Sequence, residues 1–418
     1  MSIGYACLTV GVPDTAQKSC LLKNVSEERL LEIIEHNLNS LEKIIDYNIR
    51  NDIRLFRISS GLIPFGSSPV NKLKWWDIFS RCFQQISEKI RQNKIRVSMH
   101  PGQYTVLNSP DEDVVIRSIA DLNYHTRVLQ CLDVGTEHKV VLHIGGVYND
   151  KKQAVKRFIS NYRSLDKGVK DRLVLENDDK SYNICDVLEI SEVLGAPVIY
   201  DNLHNYLNPC GRQKSDIYWI NECQKTWKAG DGIQKIHYSQ QDSRKKAGSH
   251  SDSIRINEFM AFYENLDRKD IDIMLEVKDK NLSAVKCINC TSGNNSIKVL
   301  EQEWSRYKYS VLERSPSDYN EIRKLLKNKE DHPAVPFYNL LEDAFRADYT
   351  IGNSVNAALH VWGYFKDSAS EHERNRFLKG IEDYRQGKTS IGTIKNILWK
   401  MTVKYRQQYL LNSYYFVL

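Results

Sequence analysis

Residues 95–100 read IRVSMH, a short apolar run that stops on a histidine and turns at once through Pro101 and Gly102 into Gln103 and Tyr104. Taken alone this is a strand with a capping histidine, a Pro-Gly turn and a tyrosine as surface cover. The pattern recurs in IGYACL (3–8), IRLFRIS (53–59), VVLHIGG (140–146), RLVLEND (172–178), PVIYDNLH (197–204), QKIHYS (234–239) and IDIMLEV (271–277), which makes eight runs in all. Amphipathic stretches with apolar residues at helical spacing lie between most of them. One is SEERLLEIIEHNLNSLEKIIDYN (26–48), with Ser26 in N-cap position; another is WWDIFSRCFQQISEKI (75–90). Strand then helix, repeated in this way, predicts an α/β fold, a (β/α)₈ TIM barrel. The alternative is a doubly wound open sheet, but no glycine-rich phosphate fingerprint follows the first strand.

The chain has 418 residues, enough for one large domain and a smaller one. Its net charge of +6, from 59 Lys and Arg against 53 Asp and Glu, is compatible with nucleic acid as a partner without demanding it. MSIGYACLTV at the start lacks a basic flank, and no apolar run approaches the ~20 residues of a membrane span. A cytoplasmic, soluble protein with no membrane partner is expected. Seven of the nine cysteines stand singly in sequence. No disulfide framework is therefore expected, in keeping with a reducing compartment. Cys287 and Cys290 lie close together and read as linker rather than as half of a zinc site.

Beyond Glu276 and Lys278 the pattern changes. The polar break TSGNNS (291–296) is followed by helical stretches such as VLEQEWSRYKYSVLER (299–314) and NSVNAALHVWGYF (353–365). Ser370 caps EHERNRFLKGIEDYRQ, with Glu373 completing a capping box and Gly387 closing the helix. This divides the chain into a barrel at 1–290, a linker at 291–295 and an all-helical domain at 296–418. Residues 291–418 hold 19 Lys and Arg against 15 Asp and Glu.

In a barrel the carboxyl ends of the strands converge on the face that carries the active site. The residues standing there are His100, His143, Glu176, Asp201, His237 and Glu276, on six consecutive strands. His204 follows in DNLH and His250 in SRKKAGSH. One such histidine is ordinarily core or cap, as His36 and His125 in helical patterns and His138 in a polar turn illustrate. A rim of acids and imidazoles is different, because crowded carboxylates repel and resist burial unless cations balance them. Three carboxylates and five imidazoles exceed the needs of one zinc or one magnesium. Two or three divalent ions are expected, manganese first and zinc second from the mixed N and O donors. Such a cluster suits phosphodiester hydrolysis.

SMHPGQY, LHIGG, LENDDK, DNLHNYLNP, KIHYS, AGSH and MLEVKDK, in this order, resemble the UV damage endonucleases, metal-dependent barrel enzymes similar in architecture to endonuclease IV. The resemblance covers residues 1–290. It implies incision of double-stranded DNA immediately 5′ of pyrimidine dimers, 6-4 photoproducts and abasic sites, leaving a 3′-hydroxyl and a 5′-phosphate. It also implies that Glu176 bridges two ions, with His100 and His143 completing one and Asp201, His237 and Glu276 the other. His204 and His250 would hold a third near Lys235, a catalytic candidate whose equivalent is carboxylated in some members. Gln103 and Tyr104 would probe the helix beside the lesion, with Tyr5 as a second wedge. Ser68 and Thr9 depart from the family pattern, which commonly has a histidine and an amide-bearing residue there. A monomer is expected. The segment from about 296, through EQEWSRYKYSVLERS, WGYFKD and QYLLNSYYF, resembles a helical domain of unknown function. The competing readings are a metal-dependent sugar isomerase, which would have no use for His204, His250 or the Gln-Tyr loop, and an inactive DNA-binding adaptor.

Overall fold

Each of the eight apolar runs forms a strand: β1 (Ile3–Ala6), β2 (Leu55–Ile58), β3 (Arg96–Met99), β4 (Val140–His143), β5 (Leu173–Glu176), β6 (Val198–Ile199), β7 (Lys235–Tyr238) and β8 (Asp272–Leu275). The computed structural model describes residues 1–211, 214–293 and 296–418. Every pairing is parallel, in the order β6-β5-β4-β3-β2-β1-β8-β7. The two ends of that row are consecutive in sequence. They meet where the His237 N–H donates to the Tyr200 carbonyl at 3.0 Å and Asp201 bridges His237. This near-closed barrel excludes the open sheet.

Helices surround the strands because each carries one apolar stripe. In Glu27–Arg50 the stripe is Leu30, Ile33, Ile34, Leu38, Leu41, Ile44 and Ile45, all buried. Ser26 caps the helix, its hydroxyl accepting from the Arg29 N–H at 3.2 Å. Ile184–Leu194 begins with an Asn183/Asp186 capping box and ends on Gly195 at φ 68°. Gly4 is required by close approach: a Cβ there would lie 2.0 Å from the Leu55 carbonyl oxygen.

A second compact unit comprises Val10–Pro13, Arg255–Ala261 and Lys286–Leu418. Its main helices are Ile297–Arg314, Pro316–Leu325, Ala334–Arg346, Ile351–Trp362, Glu371–Arg385 and Ile391–Lys404. Trp362 stacks on Phe377 with centroids 4.6 Å apart in a core that includes Phe365, Ile394 and Leu398. The Ser370/Glu373 capping box forms, and Gly387 takes φ 68° just past the helix end. At the expected linker, a helix continues from Asn281 to Thr291, while Asn294 and Asn295 lie outside the described residues. No helix among the described residues is long and apolar enough to cross a membrane.

The cysteine expectation needs correction. Cys185 and Cys210 form a disulfide, since the fold brings the start of one helix beside the segment that follows the His204 helix. The other seven cysteines join no disulfide among the described residues, and Cys287 and Cys290 join no metal-ligating group there.

Candidate metal centre

Strand register places the acids and imidazoles together. His143 and Glu176 end β4 and β5 as direct partners across the ladder. His100 and Glu276 follow the last residues of β3 and β8 directly, and His237 lies within β7. Asp201 follows β6 and caps the short helix Asn202–Leu207, its Oδ1 accepting from the His204 N–H at 2.8 Å. The cap therefore fixes Asp201 and His204 against each other.

Glu176 is the centre of the cluster. Its Oε2 lies 3.1 Å from His100 Nε2 and 3.4 Å from His143 Nε2, while its Oε1 lies 2.5 Å from His237 Nδ1 and 3.9 Å from His204 Nδ1. Glu276 stands 3.4 Å from His237 Nδ1 and, through its other oxygen, 3.8 Å from His250 Nε2. Asp201 Oδ1 is 3.8 Å from His204 Nδ1. Among the described residues three donor groups result, and Glu176 belongs to each: with His100 and His143, with Asp201 and His204, and with His237 and Glu276. His204 thus groups with Glu176 and Asp201 rather than with His250, which stands off Glu276.

The electrostatics describe a site short of cations. Burial would raise the Glu176 carboxyl, but His237, His143 and His100 hold it well below the usual carboxylate range. Asp201 moves the other way, because burial, with Glu176 and Glu276 nearby, outweighs the attraction of His204. Burial would lower His204, yet Asp201, Glu176 and Glu276 carry it up to about 9. His100 is pushed down to about 4 by burial, leaving a neutral imidazole of the kind that ligates. The Asp201 carboxylate is fully buried, and its Oδ2 has no hydrogen-bond partner among the described residues. A divalent ion supplies what a buried, unpartnered carboxylate oxygen lacks, so these residues fit a metal.

Arg57 and Asn177 belong to the site, and the sequence reading missed both. Arg57, on β2, pairs with Glu276 and holds that carboxyl down against the effect of burial. A lone cation inside the apolar run LFRI was the available signal. Asn177 behaves like a piece of strand: its Oδ1 accepts from the Asp201 N–H at 2.9 Å and its Nδ2 donates to the Asp201 carbonyl at 3.1 Å. Its own carbonyl lies 2.9 Å from His204 Nδ1. Nothing in the sequence announced this.

Lys235 is buried in β7, two residues before His237. Burial, then Arg96 and Arg57, push its ammonium well below lysine's ordinary value. Gln103 and Tyr104 are exposed, Tyr104 at 72%. The Tyr104 ring folds over Gly102, where a Cβ would lie 2.3 Å from the ring edge. The turn is anchored by the Thr105 N–H to the Gly102 carbonyl at 2.9 Å and the Thr105 hydroxyl to Asp121 at 2.6 Å. Tyr5 must be corrected. It is fully buried, its hydroxyl donating to Asn48 at 2.8 Å, because its position in β1 turns it toward helix Glu27–Arg50 and away from solvent. Ser68 and Thr9 hydrogen-bond the Val70 N–H and Thr15, respectively, and not the cluster.

A parallel eight-stranded barrel with clustered imidazoles and carboxylates at the carboxyl ends of its strands defines a barrel enzyme with a site able to bind a metal. The family described as UV-endonuclease UvdE matches residues 1–308, and a protein of unknown function, DUF1722, matches residues 308–418. The chain is 40% identical to the UV DNA damage endonuclease of Clostridium perfringens (strain 13 / Type A), over 94% of each protein. It is 30% identical to that of Bacillus cereus (strain Q1), over 66% of this chain and 88% of the other. The crystal structure of SacUVDE superposes with a TM-score of 0.66 at 39% identity, over 69% of this chain and 97% of that one. The chain belongs to the UV DNA damage endonuclease family and is an endonuclease.

Proposed function

We propose that the protein incises double-stranded DNA immediately 5′ of pyrimidine dimers, 6-4 photoproducts and abasic sites, leaving a 3′-hydroxyl and a 5′-phosphate. The observation that carries this reading is the sharing of Glu176 by three donor groups. One carboxylate common to several ligand sets suits a cluster of two or three ions, manganese first and zinc second by their donors. His100 and His143 would serve one ion with Glu176, His237 and Glu276 a second, and Asp201 and His204 a third, with His250 beside Glu276. When bound, such ions polarise a phosphodiester and lower the pKa of a water at its phosphorus. The chain's own part is to hold the site. Arg57 fixes Glu276, Asn177 fixes Asp201 and His204, and buried Lys235 supplies a group at the barrel centre that can move a proton. The exposed Gln103 and Tyr104 suit contact with a base step that the lesion has left poorly stacked. The protein acts as a monomer.

Glu176→Gln keeps the size of the side chain and removes its charge. It should lose bound metal and abolish incision of an end-labelled duplex carrying one pyrimidine dimer, while binding to that duplex persists. Incision near the parent rate would overturn the assignment.

A further inference from the structure

The helical unit carries a second assembly of chemistry that the barrel does not use. On helix Ile297–Arg314, Trp304 and Lys308 stand one turn apart, and on Pro316–Leu325, Tyr319 and Arg323 do the same. Trp304 packs against Tyr319 with centroids 5.2 Å apart, and Tyr364 stacks on Tyr409 at 5.7 Å and 10°. All four rings are partly exposed. The Lys308 ammonium lies 4.6 Å from the ring centroids of both Tyr309 and Tyr409, and the Arg323 guanidinium lies 5.8 Å from that of Tyr319.

Among the described residues the two cations lack a partner of opposite charge. Residues three and four positions from Lys308 are Trp304, Ser305, Val311 and Leu312, and those from Arg323 are Tyr319, Asn320, Leu326 and Lys327, none of them acidic. Neither cation has an acidic partner among the described residues. Their neighbours behave differently, since Arg306 pairs with Glu303 and Lys324 with Glu321. Burial and the nearby Arg323 hold Lys308 below lysine's ordinary value. An anion between the two would relieve both.

A frame of partly exposed rings around unpaired cations suits an anion that also has flat faces, and a nucleic-acid strand offers phosphates and bases together. We propose that this face of the helical unit binds a single strand of DNA, with Lys308 and Arg323 on phosphates and Trp304 and Tyr319 against bases; this rests on the reading that the protein acts on DNA.

The test is fluorescence anisotropy of a labelled oligothymidylate with the full chain, without metal, across a salt series. Lys308→Gln/Arg323→Gln should flatten the slope of log K against log salt by about 1.4, and weaken binding roughly 25-fold at about 0.1 M salt, for two lost single-strand contacts. Lys366→Gln/Lys379→Gln removes the same charge from exposed sites elsewhere on the unit, and should flatten it less. Trp304→Leu/Tyr319→Leu should weaken binding at unchanged slope. The charge-retaining Lys308→Arg/Arg323→Lys should keep the parent slope, which separates lost contacts from lost folding. An unchanged slope in the first pair, an equal change in the control pair, or displacement by polyglutamate as readily as by unlabelled DNA overturns the proposal. Dimer incision, measured with metal on the same preparations, reports separately on the repair reading.

Discussion

Four imidazole nitrogens lie within 4 Å of the Glu176 carboxylate, while the hydrogen bonds to it come from His100 and His237, an excess of imidazoles over bonds made. That excess is a residue-scale sign of a metal ligand, and its source is the register that sets His143 beside Glu176. Gln103 and Tyr104 differ in kind: they are exposed, and neither belongs to a metal-donor group among the described residues. Replacing both with Ala should leave bound metal unchanged and reduce incision at a pyrimidine dimer more than at an abasic site, where less stacking must be broken. Loss of one aromatic-base contact, about 1 to 3 kcal/mol, corresponds to a roughly 5- to 150-fold fall in the ratio of dimer to abasic incision. An unchanged ratio, or loss of metal, would return SMHPGQY to the role of strand cap and turn. Six of the eight candidate ligands stood out in the sequence because imidazoles and acids are unusual at the ends of apolar strands, whereas His204 and His250 lie beyond the strand ends. Tyr5 was misread because a strand's two faces differ by one residue in register, and a tyrosine suits either. Arg57 and Asn177 escaped notice because their roles depend on partners at Glu276 and Asp201, far away in sequence.

Among the elements, β6 is the shortest strand, with only Val198 and Ile199, and the ring closes beside it through Tyr200, Asp201 and His237. Two metal-ligand candidates therefore flank the weakest seam of the barrel. Amide exchange at the seam should slow when metal is added, in peptides covering 197–204 and 234–239, while peptides covering the β1–β2 ladder change little. Equal protection throughout would mean that metal stabilises the whole barrel rather than its closure. The strands themselves were readable because β-branched and apolar runs of this length, separated by amphipathic helices, leave few alternatives. The Cys185–Cys210 bridge was not, since its two halves lie on either side of β6 and become neighbours only once the barrel winds round.

For the whole molecule, metal affinity is also stability, since an ion bound only by the folded state adds about 2.7 kcal/mol when present at 100 times its Kd. In a domain of this size that is roughly 5 to 10 °C in Tm. Chelation should lower the apparent Tm of the parent protein by that order per ion, and Glu176→Gln should abolish most of the difference. A parent protein indifferent to chelator would argue against a metal held by all three donor groups. The arrangement around Glu176 has a further consequence for how the protein comes into being. Its partners arrive on separate strands, and Glu276 lies 176 residues beyond His100. At about 5 to 20 residues per second, a ribosome needs ~10 to 35 s to travel from one to the other. Throughout that interval the emerging polypeptide displays histidines without their full complement of acids, a loose chelator exposed to whatever ion the cell offers. Selection of the correct ion is therefore made only after β8 has left the ribosome and the ring has shut.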